Sequence, residues 1–360
     1  MAVIKDEVLT ATVTSWLEAF EAALLGGDVG SLKGLFVADS HWRDLLAFSW
    51  TIQTVSGADE LSAALVDFSQ ATQAHGFEVD GARTAPRLVT RAQIEVIEAI
   101  FRFETASGSG NGLLRLVSGN NSGGPHKAWT LMTALNQLKG FEESIGEFRP
   151  SGEIYSRDFS GPNWSDIRHT KVGFVDRDPT VLVVGGGQAG LSIAARRGQL
   201  GVDALIVDRW SRIGDNWRRR YHALTLHNQV HVNHLPYLEF PPTWPRYIPK
   251  DKVANWFESY VESMELNFWT ETEFSGGIYD EVSGTWSVEL ERGGGERRIV
   301  KPQHIVMATG VSGVPNLPNV PNLKDFVGTV QHSSDYDAAP TWTGKKALVI
   351  GSGTSGHDIA

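Results

Sequence analysis

The chain has 360 residues, 41% hydrophobic and 21% charged, with a net charge of −10. At roughly 150 residues per domain this allows two or three domains with real cores, and with no long basic run a nucleic-acid partner is not expected. The absence of cysteine excludes disulfides, thiolate zinc sites, iron–sulfur clusters and a cysteine nucleophile.

The opening stretch MAVIKDEVLTATVTSWLEAF mixes charged and apolar residues and is read as neither a signal peptide nor a membrane span, so a cytoplasmic location is expected. Val13, Trp16, Leu17, Phe20 and Leu24 recur at helical spacing over 8–24, and Gly26-Gly27 ends that helix. Ser56 with Asp59 has the pattern of a capping box before a second helix that places Leu61, Leu65 and Phe68 on one face. The period then changes. Segments 93–105, 112–118 and 126–138 are predicted strands, separated by the turn-forming runs SGSGNG and SGNNSGG. Helices followed by an antiparallel meander make a smaller α+β domain over 1–140. Its pattern resembles the cone-shaped (SnoaL-like) fold shared by scytalone dehydratase and ketosteroid isomerase. His41 and Asp44 are candidate polar groups for a cone pocket, but a structural role is the favoured reading, since fold does not confer function. Residues 141–178, rich in Gly, Pro, Ser and charge, read as a linker.

A different architecture opens at VLVVGGGQAGLSIAA, residues 181–195. A strand runs into G-x-G-x-x-G on Gly185, Gly187 and Gly190, and a helix follows. One glycine makes the tight turn, one lets the backbone approach a pyrophosphate, and one lets the helix pack on the strand. The helix start offers free N–H groups and a positive dipole end to phosphate. The next strand, ALIVD, ends on Asp208, placed to accept from ribose hydroxyls. A carboxylate there suits a free ribose and repels a 2′-phosphate, so FAD or NAD is expected at this turn rather than NADP. A second turn on Gly351, Gly353 and Gly356 follows KKALVI, with a strand predicted at 346–350. Two dinucleotide turns suggest a flavin and the nicotinamide that reduces it.

Between the turns, Phe326, Gly328, His332 and Tyr336 in FVGTVQHSSDY resemble the F-x-G-x-x-x-H-x-x-x-[YF] fingerprint of flavin-containing and N-hydroxylating monooxygenases. RIGDNWRRRY is similar to the G-G-x-W stretch of that family, with Asp215 in place of the second glycine. LPYLEFPPTWPRYIPKDKVANWFESY is similar to its proline-aromatic segment, and VMATG to its strand-to-loop motif. The texture is closest to the YUCCA-type and fungal branch. The resemblance implies an α/β Rossmann-like FAD/NAD(P)-binding domain, with the FAD part at 179–340 and an NADPH part starting at 341–360. Cofactors would be FAD, held by Gly185, Gly187, Gly190, Asp208, Trp217, Thr309 and Gly310, and NADPH at Gly351, Gly353 and Gly356. It further implies a monooxygenase that uses a flavin hydroperoxide, formed from dioxygen, to oxygenate a small organic substrate at nitrogen or sulfur or by a related oxidation. Water exclusion would protect that oxidant. The fingerprint is assigned to domain coupling, with His332 not a general base. Asn228 is the candidate catalytic polar residue.

His227, His231 and His234 have metal-like spacing but lack the H-E-x-x-H glutamate, and no metal is expected. HSSD at 332–335 is no triad, because such residues converge from separate elements. Arg218, Arg219 and Arg220 read as a solvated turn, and ERGGGERR as a hairpin tip. The alternative to an enzyme is a catalytically incomplete flavin-binding fragment or pseudoenzyme with a binding or assembly role. Only HDIA follows Gly356, whereas a nucleotide-binding βαβ unit takes about 30 residues. The expectation is therefore an incomplete gene product with weak FAD binding and little NADPH-driven turnover. Homo-oligomerisation is left open.

Overall fold

A stripe of large apolar side chains on the first helix starts the N-terminal core. In a computed structural model, which describes residues 2–119, 124–150, 160–311 and 313–360, α1 (Ala2–Leu25) buries Val13, Trp16, Leu17, Phe20 and Leu24. Each such burial is worth about 1.5–3 kcal/mol. Glu7–Leu25, at mean hydropathy 1.3, is long and apolar enough to cross a membrane by length and composition. This differs from the sequence reading; the apolar face of the helix is nonetheless spent on the core. Contacts divide the chain into two units, Met1–Glu142 and Glu143–Ala360.

In the first unit, α2 (Val29–Gly34), β1 (Phe36–Leu45), β2 (Ile52–Ser56), α3 (Ala58–Thr72), β3 (His75–Val79), β4 (Arg87–Arg91), β5 (Ile94–Glu104), β6 (Gly108–Gly119) and β7 (Gly124–Leu138) follow α1. The strands form one sheet in the order β2-β1-β7-β6-β5-β3, with β4 also on β5. β1 and β7 are parallel and the other pairs antiparallel. Leu61 and Leu65 of α3 join Phe101, Phe103, Leu114 and Leu116 in the core.

Three sequence readings change here. Ser56 does not cap α3: Gly57 is the N-cap, without a side-chain bond, and the Ser56 hydroxyl lies 2.8 Å from His41 Nδ1 on the neighbouring strand. Most of SGSGNG is strand rather than turn, because Gly110 and Gly112 sit under the rings of Phe103 and Phe101, where a Cβ would overlap them. The stretch read as a linker contains α4 (Trp164–Gly173), started by a capping box between Asn163 and Asp166. Residues 120–123 of SGNNSGG and 151–159 of that stretch lie outside the described residues.

Asp44 is fully buried. It accepts from the Phe48 N–H at 3.1 Å, the Ser49 N–H at 2.8 Å and hydroxyl at 2.7 Å, and the Thr133 hydroxyl at 2.7 Å. Trp42 Nε1 donates to the same Thr133 at 3.0 Å. The carboxylate thus closes the 46–51 loop, in line with a structural role. Glu98 is the other buried acid among the described residues of this unit. The Arg91 guanidinium first, opposed in part by burial and aided by Arg87 and Arg115, holds its carboxyl at about 2 against an ordinary 4.5. A depressed folded-state pKa gives stability that is complete above pH 4.5 and lost as the pH falls through about 2. We expect an NMR titration of Glu98 to place its midpoint near 2, and Arg91→Ala to move it up; a wild-type midpoint in the ordinary glutamate range would refute the pairing.

The second unit continues from α4 with β8 (Val181–Val184), α5 (Gln188–Gln199), β9 (Ala204–Val207), α6 (Asp215–Arg218), β10 (Thr225–Gln229), β11 (Tyr247–Pro249), α7 (Lys250–Ser263), β12 (Asn267–Trp269), β13 (Thr272–Asp280), β14 (Thr285–Arg292), β15 (Glu296–Val300), β16 (His304–Met307) and α8 (Thr354–Ile359). β12-β9-β8-β16 is a parallel sheet, β13-β14-β15 an antiparallel one, and β10 pairs with β11. Val181, Val183 and Ile206 face a layer that includes Leu191 and Ala195 of α5 and Phe257 and Tyr260 of α7. Their neighbours Leu182, Val184, Leu205 and Val207 face Val288, Leu290 and Val300 of the antiparallel sheet. Strands covered on both faces read as unbroken apolar runs, which is why VLVV and ALIV look as they do. The result is a Rossmann-like α/β layer arrangement. The segment 346–350, read as a strand, is irregular, with Leu348 86% and Ile350 57% exposed. No described residue pairs with it, and an apolar run without a partner gains nothing by extending.

Candidate functional site

The first glycine turn lies at the end of β8, between β9 and β16. Gly185 has φ +107°, and a Cβ on it would come within 2.5 Å of the Ala308 carbonyl oxygen, just after β16. A Cβ on Gly190 would overlap the Gly185 carbonyl, so α5 reaches the turn only without a side chain there. Gly187 is the N-cap of α5, extended at φ −82°, with no side-chain cap. The first helical bond runs from Leu191 N–H to the Gly187 carbonyl at 2.9 Å. The N–H groups of Gln188, Ala189 and Gly190 therefore have no acceptor among the described residues, at the positive end of the helix.

Asp208 touches this turn directly. Its Oδ2 accepts from Gly186 N–H at 2.7 Å and its Oδ1 from Trp210 N–H at 3.0 Å. Each oxygen keeps a lone pair for a further donor. Asp208→Ala is accordingly expected to lower stability even without ligand, by about 1–2 kcal/mol for two lost charge-assisted bonds at a half-buried group. Thermal melting of the ligand-free variant at the parental temperature would show that the turn does not depend on this carboxylate.

The RIGDNW stretch packs beside it. Gly214, at φ +88°, lies so close to α7 that a Cβ would meet the Ala254 backbone at 2.5 Å. Asp215, where the resembling motif has its second glycine, is buried and binds Arg218 Nη1 at 3.1 Å. Arg218 also reaches Glu258 at 3.2 Å and the Ile213 carbonyl at 2.6 Å, with its side chain only 16% exposed. It is a clamp between α6 and α7, not part of a solvated turn. Asn216 Nδ2 would lie 3.2 Å from a Cβ on Gly187. Asn216 Oδ1 and Trp217 Nε1 are buried and have no hydrogen-bond partner among the described residues. Sequence reading singled out Trp217 but missed Asn216, whose only signal is its place between Asp215 and Trp217.

The structure brings Gly185, Gly187, Gly190, Asp208 and Thr309 together, with Thr309 N 3.4 Å from a Cβ on Gly185, and Gly310 following in the same exposed loop. Asn228 is exposed on β10; its carbonyl accepts from Asn233 Nδ2 at 3.2 Å, and it makes no hydrogen bond to the turn among the described residues. His234 Nδ1 accepts from the Phe240 N–H at 2.9 Å. Among the described residues no group of ligating side chains is placed to hold a metal.

The fingerprint residues form a separate region. Phe326 is exposed, and Gly328 lies two residues on in the same exposed segment. His332 Nδ1 accepts from the Ser334 N–H at 3.1 Å, a local turn. Tyr336 meets Tyr221 edge-on at 6.1 Å. Tyr221, which sequence reading did not single out, donates its hydroxyl to Asp358 on α8. Burial, then Asp358, pushes the phenol up to about 12, so it stays a donor at neutral pH. Tyr221 therefore joins the fingerprint segment to the second glycine turn. There Gly351 has φ +134°, Gly353 caps α8, and a Cβ on Gly356 would approach the Gly351 carbonyl to 2.7 Å. This repeats the local geometry of the first turn.

A glycine turn at the carboxyl edge of a parallel sheet, over an open helix start, defines a Rossmann-like nucleotide-binding domain. Residues 182–360 match the family described as pyridine nucleotide-disulphide oxidoreductase. The chain is 32% identical over 183 residues to indole-3-pyruvate monooxygenase YUCCA1 of Oryza sativa subsp. japonica, covering 51% of this chain and 44% of that protein. It is 34% identical over 183 residues to a protein of Arabidopsis thaliana named probable indole-3-pyruvate monooxygenase YUCCA4, covering 51% and 43%. The chain thus spans less than half the length of these curated relatives. A flavin monooxygenase structure from Stenotrophomonas maltophilia aligns at TM-score 0.47 and 23% identity over 51% of this chain and 54% of that one. Through this stretch the chain is similar to flavin-dependent monooxygenases.

Proposed function

We propose that the Glu143–Ala360 unit binds FAD at the first turn and NADPH at the second, and serves an FAD- and NADPH-dependent monooxygenase acting with dioxygen on a small organic substrate. The observation that carries this reading is the set of polar atoms at the α5 start and in the neighbouring RIGDNW stretch that have no partner among the described residues. Three N–H groups of the α5 start and the Trp217 indole N–H are donors, and Asn216 Oδ1 is an acceptor. Buried polar atoms are normally satisfied. A pyrophosphate answers such donors, and the hydroxyls or ring N–H of a flavin dinucleotide answer the acceptor. Bound FAD would supply hydride acceptance from NADPH and oxygen activation.

The remaining roles fall to this chain. Gly187 leaves room for the pyrophosphate, and Asp208 offers its spare lone pairs to ribose. Thr309 and Gly310 border the same cradle. Gly351, Gly353 and Gly356 would receive NADPH, with Tyr221, His332 and Tyr336 coupling the two turns. Asn228 stays a candidate for a polar role near the flavin, though exposed here. The curated relatives' names, indole-3-pyruvate monooxygenases, support a small organic substrate; its oxygenation at nitrogen or sulfur, or by a related oxidation, is part of the proposal. The N-terminal unit, with helices on one face of a mixed sheet, is read as a cone-like domain.

Flavin absorbance of the purified chain and NADPH-dependent oxygen uptake test the proposal. Gly187→Ala is expected to lose flavin without losing the fold, because its backbone is extended and its nearest neighbour is a movable Asn216 amide. A variant as yellow as the parent would remove the pyrophosphate from this turn. The exposed, unpaired 346–350 segment favours a second reading, in which flavin binds with little NADPH oxidation. Flavin content without oxygen uptake would select it.

A further inference from the structure

The outer face of the N-terminal sheet carries a charge cluster that the flavin chemistry does not use. Ile97, Ala99, Phe101 and Phe103 of β5 enter the core, so Glu98 points to the opposite face. Arg87 on β4 and Arg115 on β6 stand directly across from it, and Arg91 reaches it from the end of β4. Arg91 Nε and Nη2 bind its two oxygens at 2.9 and 2.7 Å, Arg87 Nη2 one oxygen at 3.0 Å, and Arg115 Nε the other at 2.9 Å. Glu98 is 6% exposed.

One carboxylate among three guanidiniums leaves two positive charges in excess, in a chain of net charge −10. Neutralising Glu98 needs one arginine, and holding three together costs mutual repulsion. The guanidinium N–H groups not spent on Glu98 make no hydrogen bond among the described residues. They border a cleft of about 230 Å³ whose other walls are Thr84, Ala85, Ile100 and Leu113. The recess therefore pairs surplus fork-shaped donors with an apolar floor.

We propose that this cleft binds a small organic acid, its carboxylate held by Arg87 and Arg115 and its apolar body against Ile100 and Leu113. Guanidinium forks match the planar carboxylate. Glu98 aligns the forks and at the same time competes with the ligand, which keeps binding reversible. The inference is independent of the flavin assignment.

The test is a titration of the full chain with sodium benzoate at constant ionic strength, followed by the arginine Nε signals. We expect saturable shifts at Arg87 and Arg115, lost in Arg115→Gln. Glu98→Gln removes the competing charge and should tighten benzoate about tenfold, the scale of one charge-assisted hydrogen bond. A network built only for stability would instead give a Glu98→Gln protein that melts lower and binds benzoate no better, which overturns the proposal. Inorganic phosphate binding as tightly as benzoate overturns the organic-acid assignment. Should Glu98→Gln fail to fold, the parental titration decides: saturation supports the site, and linear drift sinks it.

Discussion

Gly190→Ala is expected to break the first nucleotide turn. The added methyl would overlap the Gly185 carbonyl and come within 3.3 Å of Val183. Neither can yield. Gly185 is fixed by its φ of +107° and by the Ala308 carbonyl behind it, and Gly186 is tied to Asp208 at 2.7 Å. Moving α5 instead would lift Leu191, Ala194 and Ala195, all buried, off the parallel sheet. Forced methylenes in close-packed cores cost about 1–3 kcal/mol, and a backbone obstacle places this case at the upper end. The C-terminal unit should melt early and carry no flavin, while the N-terminal unit keeps its transition. The contrast with Gly187→Ala, where flavin alone is lost, separates the packing glycine from the ligand-facing one. A Gly190→Ala protein with parental melting and flavin content would show that the turn is softer than its contacts imply.

What could be read in the sequence was what neighbours along the chain determine. The stripe Val13–Leu24 declares its helix because its burial repeats with the helical period, and Gly185, Gly187 and Gly190 act within one turn of chain. What could not be read depended on distant partners. Arg218 looked solvated because Asn255 and Glu258, its partners on α7, are far along the chain. Ser56 looked like a cap until β2 paired with β1 and offered its hydroxyl to His41. Gly110 and Gly112 looked like a turn because the rings they accommodate, Phe103 and Phe101, belong to the facing strand. Asn216 and Tyr221 carried no periodic signal: one shows itself by an unpartnered oxygen, the other by a contact with Asp358. The 346–350 run failed for the converse reason, since strand propensity is realised only against a partner.

Asp44→Ala is expected to be the most damaging change in the N-terminal unit. The carboxylate gathers four donors from three residues, and alanine leaves each without this acceptor. Ser49, half-buried, can turn to water. The Phe48 N–H and Thr133 hydroxyl lie inside, and a buried donor left unpaired costs about 1–3 kcal/mol, so a loss of about 4 kcal/mol is expected. The damage should spread, because Phe48 packs edge-on against Trp42 at 5.5 Å and tilted against Phe103 at 5.8 Å. Thr133→Val removes one of the donors along with Asp44's bond to it and leaves the buried Trp42 Nε1–H without its acceptor, yet it spares the loop's bonds to Asp44 and should cost less. Because both act on one network, the double variant should be less destabilised than the sum of the singles, by the coupling of about 0.5–3 kcal/mol seen between contacting residues. Denaturant unfolding of the four proteins measures that coupling. Strict additivity, or an Asp44→Ala variant within a few tenths of a kcal/mol of the parent, would mean that the 46–51 loop is held by its aromatic packing and that the buried carboxylate is incidental to it.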